Sequence, residues 1–435
     1  MMQNSFRDFL EKLRFERKIL DVKKPVSKNL ELAGVCHKLD GNALYIPKIR
    51  ECPNYKAAAN VFSTKDLVAL NLGITKEEII PKLVHAIKNP TKPELVEDGP
   101  VMEYEADLDL YKLPIPFHAE KDGGPYISSA VVMANDPELG RNCSFHRAMV
   151  ISKDKLALRI LPRHLNEFIK RAGGELDVAF VVGAPINVLL AGAISVDLGH
   201  DELEIANSLA PVKTVKLSNG IEVPADAEFV IEGKITSEMH DEGPFVDLTE
   251  TYDIIRKQPV MNVTKIHHRR NPIFHVLLPG GNEHKILMGM PREPTIFNEV
   301  DKVAECKGVN ITLGGCSWLH AAVAIKKKNE DEGKKAIEAA FKGHKSLKHV
   351  VVVDEDIDIY NPRSIEWAVA TRFQADKDLI IHEKQKGSSL DPSADPNTYV
   401  TTKMGLDATK PLNVPGKHFD KAKWKEINPK DYIKQ

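Results

Sequence analysis

Between about Met102 and Leu287 the sequence reads as one short strand after another: DLDLYKLPIPF, YISSAVVMAN, AMVI, LALRILP, PVKTVKL, EFVIEGKI, VMNVTKIHHR and NPIFHVLLP. Each is bounded by turn residues, and only NEFIKRAG and HDELEIANSLA look helical among them. So many short strands in succession predict an all-β core, a barrel or split barrel. On either side helix and strand alternate. Before it, Phe6, Phe9, Leu10 and Leu13 recur at helical spacing behind a capping box of Ser5 and Asp8, and TKEEIIPKLVHAIKNP is an amphipathic helix stopped by Asn89-Pro90. After it, KHVVVVDED places a buried parallel-type strand with acids at its carboxyl end. At 435 residues the chain exceeds a single core. The predicted architecture is therefore α/β multidomain: an α/β domain over 1–105, a β-barrel domain over 106–293 and a second α/β domain over 294–435 that ends in an oligomerisation tail.

Charge is nearly balanced at −2, so nothing favours nucleic acid or an anionic membrane as a partner. The five cysteines (Cys36, Cys52, Cys143, Cys306 and Cys316) are scattered without a CxxC spacing, which speaks against a disulfide framework and a zinc knuckle. The N-terminus is amphipathic and charged, and no apolar run reaches the length of a membrane span. The expectation is a cytoplasmic protein.

The polar residues that interrupt apolar sequence carry the chemistry. RNCSFHRAMVISKDKLALRILPRH, from Arg141 to His164, reads as a hairpin turning at Ser152–Lys155, with Asn142 and Arg147 at one end and His164 just past the other. Five residues apart, Asn142 and Arg147 face opposite ways unless the segment bulges, so they have different jobs. Taken singly, Asn142 also fits a loop end, Arg147 an edge ion pair and His164 a helix cap. Glu204 fits an inward metal ligand, or an acid placed by a helix dipole. In DEGPFVDLTE, Glu242 and Asp247 flank a Gly-Pro-Phe turn, which suits an acid–base pair and equally a polar surface turn. TTKMGLDATKP sets Lys403 among small residues, a composition suited to a phosphate, although it lacks the P-loop spacing.

Taken together, these segments resemble the UbiD family of reversible decarboxylases. Asn142-x4-Arg147, His164, Glu204 in LExAxSL, EGPFVD, NEHKILMG, GCSWLHAAVAI, WAVATRF and TKMGLDAT follow one another in family order along the chain. The resemblance implies a flavin-reductase-like split β-barrel in the centre as cofactor-binding domain. It implies prenylated FMN, made by a partner flavin prenyltransferase and bound through its phosphate to a divalent metal, usually Mn2+, with K+ nearby. Asn142, His164 and Glu204 are similar to the metal ligands. Arg147, Glu242 and Asp247 resemble the acid–arginine–acid network, with Asp247 as proton donor where many members carry Glu. Lys403 is similar to a cofactor-phosphate contact, and Glu283 and His284 to residues at the substrate mouth. A homo-oligomer, dimer or hexamer, is also implied.

Within that family the short-looped, Lys-rich chain looks like the archaeal branch. The implied reaction is non-oxidative decarboxylation of trans-anhydromevalonate 5-phosphate to isopentenyl phosphate, with His146, His284, Lys285 and Arg292 as candidates for the substrate phosphate. A decarboxylase of 4-hydroxybenzoate-type acids in quinone synthesis is the alternative enzyme. A flavin-binding assembly subunit and a flavin-free metal-dependent phosphatase are alternatives of other classes.

Overall fold

The computed structural model describes residues 5–414, 418–422, 424–428 and 431–432, so the expected oligomerisation tail lies partly outside the described residues. The chain opens with helix α1 (Phe6–Phe15), where Ser5 and Asp8 form the predicted capping box and Phe6, Phe9, Leu10 and Leu13 are buried. Strand β1 (Ile19–Asp21), helix α2 (Glu31–Lys38), strands β2 (Ala43–Ile46) and β3 (Lys56–Ala59), and helices α3 (Lys65–Leu72) and α4 (Ile79–Lys88) complete an α/β layer. Its sheet takes its fourth strand from Ile273–Val276, parallel to β3 and more than two hundred residues further along. The N-terminal layer is thereby tied to the end of the segment read as the barrel domain.

The central region runs through β4 (Glu94–Val96), β5 (Tyr104–Glu105), β6 (Tyr126–Ile127), β7 (Val131–Asp136), β8 (Gly140–Phe145), β9 (Ala148–Ser152), β10 (Lys155–Leu158), helix α5 (His164–Arg171) and β11 (Leu176–Val182). Helices α6 (Ile186–Ala193) and α7 (Glu202–Leu209) follow, then β12 (Lys213–Lys216), β13 (Glu222–Pro224), β14 (Phe229–Glu242), β15 (Phe245–Val246), β16 (Tyr252–Asp253), β17 (Arg256–His268) and β18 (Ile273–Val276). Nine of these strands form one sheet, in the order β6-β9-β10-β17-β14-β11-β7-β8 with β5 paired to β17. The expected hairpin is β9 against β10, antiparallel with a register shift at Lys155/Leu156. Both faces of the sheet are covered. Val131, Met133, Ala179 and Val181 pack in the cluster that holds α6 and α7, whereas Val132, Ala134, Val178 and Phe180 enter the cluster that holds β2 and β3. That two-sided burial makes the strands apolar throughout instead of alternating.

Two readings need correction. NEFIKRAG and HDELEIANSLA are not the only helical stretches of this region: INVLLAGA forms α6, all eight of whose residues are buried. With every face apolar there is no helical periodicity to read. PVKTVKL contributes β12 to a separate three-stranded sheet, β13-β12-β4, and not to the central one.

The C-terminal region contains α8 (Asn282–Gly289), α9 (Glu293–Val300), β19 (Glu305–Ile311), β20 (His320–Lys326), α10 (Glu332–Gly343), β21 (His349–Asp354), α11 (Pro362–Arg372), β22 (Leu379–Lys386) and β23 (Val400–Ala408). Its sheet has the order β19-β20-β21-β23-β22, and β21 lies parallel to both neighbours as HVVVVD predicts. Among the described residues all five cysteines are free, and no helix is long and apolar enough to cross a membrane.

Candidate active site

One cavity of about 1080 Å³ receives residues from β8, the β8–β9 connection, α5, α6, α7, the β15–β16 hairpin, α8 and the 386–390 segment. At one end lies a carboxylate–amide–imidazole group. Arg141 grips Asp201 at 2.6 Å, and Asp201 caps α7 by accepting from the Leu203 N–H at 2.8 Å. That fixes Glu202 in the first turn, where the helix dipole favours an anion. Glu202 is 2 % exposed. Its Oε1 accepts from Asn142 Nδ2 at 3.1 Å and its Oε2 from the Cys143 N–H at 2.9 Å. His164 opens α5, with Nδ1 3.6 Å from Glu202 Oε1. The hydrogen bond to Glu202 raises the imidazole pKa against the opposing effect of burial.

The acid beside Asn142 and His164 is thus Glu202, not Glu204. The buried stripe of α7 is Glu202, Leu203, Ile205, Ala206 and Leu209. Glu204 lies about 200° around the helix from Glu202. It is half-buried, does not line the cavity, and uses its carbonyl to accept from the Thr91 N–H at 3.0 Å. The i, i+3, i+7 spacing of Glu202, Ile205 and Leu209 was the available signal, and the motif reading passed over it.

The second group is built on Arg147, which directly precedes β9. Its Nε and Nη2 meet the two oxygens of Glu242 at 2.9 and 3.1 Å, Nη1 meets Asp247 Oδ2 at 3.0 Å, and Nη2 meets Asp253 Oδ2 at 3.0 Å. Burial opposes the guanidinium charge, but Glu242, Asp247 and Asp253 outweigh it and the Arg147 pKa is raised. Glu242 is wholly buried and also accepts from the Tyr126 hydroxyl at 3.0 Å. The Phe245 ring lies 5.1 Å from the guanidinium carbon. Asp247 Oδ1 accepts from the Leu248 N–H at 2.6 Å.

Asp253 escaped the sequence reading. It faces Phe245 across the β15–β16 hairpin, so pairing FV with YD would have found it. Burial raises the Asp253 carboxyl, while Arg256, at 2.6 Å, and Arg147 hold it below the usual range.

His284 lines the same cavity, and its Nδ1 accepts from the Gly280 N–H at 3.1 Å, which leaves the proton of the neutral ring on Nε2. Burial lowers its pKa, with Asp247 opposing and Arg147 and Lys285 assisting. Glu283, its neighbour, is not at a substrate mouth. It is buried against His275 at 2.9 Å and accepts from the Phe62 N–H at 3.1 Å. Of the other phosphate candidates, His146 lies in the cavity wall between Ser144 and the Arg159 carbonyl, both at 3.1 Å, and is held neutral, its pKa lowered by burial to about 4. Lys285 is bound to Glu250 and does not line the cavity.

Arg292 is different. It is 8 % exposed, its Nε has no hydrogen-bond partner, and its guanidinium carbon sits 5.5 Å from the Trp318 ring. Burial, and then Arg163, lower its pKa to about 10. No carboxylate within ion-pair distance of it is found among the described residues. Lys403 lies outside this cavity. It donates to the Lys345 carbonyl at 2.6 Å, 5.3 Å from the Phe341 ring, in an adjoining cleft of about 640 Å³, while Lys386 lines both spaces.

Comparison with known proteins follows the same outline. The descriptions of 3-octaprenyl-4-hydroxybenzoate carboxy-lyase match in three parts: the N-terminal domain over residues 10–87, the Rift-related domain over 94–282 and the C-terminal domain over 285–408. The anhydromevalonate phosphate decarboxylase of Methanosarcina mazei is 43 % identical over 426 residues, which cover 96 % of this chain and 99 % of that one. The UbiD-class enzyme HmfF of Pelotomaculum thermopropionicum, solved with FMN, is 40 % identical with a TM-score of 0.93 and 99 % of each chain covered. An evolved dimeric form of that enzyme, solved with prFMN, is 37 % identical with a TM-score of 0.89, again over 99 % of each chain.

Proposed function

The chain belongs to the UbiD family of carboxy-lyases, and we propose that it is a prenylated-FMN-dependent decarboxylase acting on trans-anhydromevalonate 5-phosphate, with isopentenyl phosphate as product. The nine-stranded sheet then corresponds to the flavin-reductase-like split barrel, and a flavin prenyltransferase provides the cofactor.

The single observation that carries the substrate is the charge of the cavity. Arg147, Arg159, Arg163, Arg256, Arg292 and Lys386 line it against Glu202, Asp247 and Asp253, and His146 and His284 are held towards neutrality. The cofactor phosphate and one substrate carboxylate still leave Arg292, which has no carboxylate partner among the described residues, without an anion. A cofactor phosphate together with a substrate that bears both a phosphate and a carboxylate answers it.

The residues also fit the cofactor. An amide oxygen, an imidazole and a carboxylate are suitable donors for Mn2+ when a phosphate completes the shell. Among the described residues no three His, Cys, Asp or Glu side chains gather as a metal site, so an ion here draws on Asn142 as well as His164 and Glu202. A cavity of about 1080 Å³ has room for a flavin ring and a small acid.

A prenylated flavin, when bound, supplies the electrophile that draws electron density from the breaking C–C bond. The chain's own work is positioning and proton delivery. Arg147, fixed by Glu242 and Asp253, orients the substrate carboxylate. Arg292, the lining cation without a carboxylate partner among the described residues, takes the phosphate. Asp247, after taking up a proton from solvent, gives it to the carbon that lost CO2 and returns to the carboxylate that Arg147 holds at 3.0 Å.

The test is to purify the protein after co-expression with a flavin prenyltransferase, record the visible spectrum and cofactor mass, and follow CO2 and isopentenyl phosphate on addition of trans-anhydromevalonate 5-phosphate. Prenylated flavin with stoichiometric CO2 is the expected result. Flavin without turnover of this acid removes the substrate, and absence of any flavin removes the reaction.

A further inference from the structure

The β15–β16 hairpin that presents Asp247 and Asp253 to Arg147 is internally paired on one edge only, Phe245 to Asp253 and Val246 to Tyr252. Residues 118–124 run along it. The Gly123 N–H donates to the Pro244 carbonyl at 2.8 Å, the Lys121 N–H to the Tyr252 hydroxyl at 3.4 Å, and the His118 ring meets Phe245 edge-on at 5.7 Å. The approach is too close for any side chain at Gly123, where a Cβ would lie 2.4 Å from the Gly243 carbonyl oxygen. This loop lies where a third strand would lie. Asp122, next to Gly123, brings a buried carboxylate to this edge of the hairpin, where the Val246 amide lowers its pKa.

Asp122 is buried, and its Oδ2 accepts from the Ala119 N–H at 2.9 Å. Its Oδ1 is sealed from solvent and has no hydrogen-bond partner, while the Val246 and His118 amides lower the carboxyl pKa. A carboxylate differs from a strand carbonyl in one respect, because protonation weakens it as an acceptor.

We propose that Asp122 is a positioning residue for Asp247: its carboxylate stands in for a third strand beside Val246 and fixes the turn that holds Asp247 against Arg147. The proposal rests on the reading of Asp247 as proton donor. Burial raises the Asp122 carboxyl to about 6, with the Ala119, Val246 and His118 amides and then Arg147 opposing. The acid therefore ionises as pH rises through about 6, tightening the hairpin, and reprotonates below it, loosening the hairpin. The titratable groups around it are Arg147 before β9, Tyr126 on β6, His118 in its own loop, and Glu242 and Asp247 joined through Arg147. Arg147 and Tyr126 are raised and His118 is lowered to about 3, so these three keep one charge state between about pH 5 and 8.

The test is amide hydrogen exchange of the full-length protein, with and without cofactor, at about pH 5 and about pH 8 after correction for intrinsic rates. In Asp122→Ala, peptides from 243–253 are expected to exchange about tenfold faster than in the parent at the higher pH, with other peptides unchanged. Asp122→Asn keeps an acceptor oxygen without the titrating charge, so its hairpin is expected to fall between the two and to lose the pH dependence. In the holoenzyme, kcat of Asp122→Ala falls about 10- to 100-fold with KM within about threefold, and the limb near pH 6 disappears from the Asp122→Asn profile. If Asp122→Ala does not fold, Asp122→Asn decides alone: unchanged pH dependence of hairpin exchange overturns the proposal, as does unchanged protection in Asp122→Ala. Turnover by Asp247→Asn overturns the donor reading separately, through an assay that hairpin exchange does not enter.

Discussion

Replacing Arg292 with methionine separates a ligand-binding cation from a packing residue, because the two roles predict opposite signs. Burial and Arg163 bring Arg292 from its ordinary 12.5 to about 10. At about 1.4 kcal/mol per pH unit, the charge is held in the folded protein at a cost of about 3 kcal/mol. A base depressed in the folded state binds fewer protons there than in the unfolded chain only between those two values, so stability rises with pH across that window and the whole cost stands at neutral pH. Methionine removes the charge, retains much of the volume, and gives up the cation–π contact with Trp318, worth about 1 to 2 kcal/mol. The cofactor-free variant is therefore expected to gain about 1 to 2 kcal/mol, read as a higher urea midpoint. Loss of a buried charge-assisted phosphate contact lowers kcat/KM by about 3 kcal/mol, on the order of 100-fold, mainly through KM. Flavin content stays at the parent level. A lower urea midpoint with kcat/KM within about threefold of the parent would refute the reasoning. Loss of flavin would transfer Arg292 to the cofactor's phosphate.

Glu202→Gln is expected to weaken metal retention by at least about 10- to 100-fold, while Glu204→Gln leaves it unchanged; metal analysis of the purified proteins distinguishes the two carboxylates. Asp247→Asn retains flavin and metal, by visible spectrum and metal content, and loses CO2 release from the substrate; full activity in this variant would take Asp247 out of the mechanism. Glu242→Gln leaves Arg147 short of its fully buried partner and is expected to destabilise the fold by about 3 to 5 kcal/mol, visible as a lower denaturation midpoint. Lys403→Met alters the adjoining cleft and not the main cavity, so flavin content is expected to be unchanged.

What was legible in the sequence is what local chemistry specifies. The capping box of Ser5 and Asp8, the β9–β10 hairpin and the parallel strand HVVVVD each depend on neighbours within a few residues, and each forms as read. The Arg147, Glu242 and Asp247 network was also legible, because the chain carries it in recognisable segments and the fold joins those segments at 2.9 to 3.0 Å. Helix α6 was lost because complete burial erases the contrast on which periodicity depends. Glu202 was misplaced by two positions because a motif match counts along the chain, whereas a helix face is selected by angle. Asp253 was missed for a related reason, since its role follows from pairing across a turn.

Arg292 shows where sequence reasoning stops. Its residue type was visible, but a cation becomes a binding group only when its surroundings fail to neutralise it. Here those surroundings come from separate segments: Arg163 before α5, Trp318 before β20 and His344 after α10. Burial, and then Arg292, lower His344 to about 3, so the imidazole adds no competing charge, and no carboxylate of the described residues reaches the guanidinium. A protein holds a dehydrated charge of this kind at a cost in stability, and the cost is relieved when an anion arrives. Arg147 lies in the same cavity with its three carboxylates already in place. One arginine is thus fixed before substrate binds and the other is completed by it, a division that suits orienting the reacting carboxylate with the first and drawing binding energy from the remote phosphate with the second.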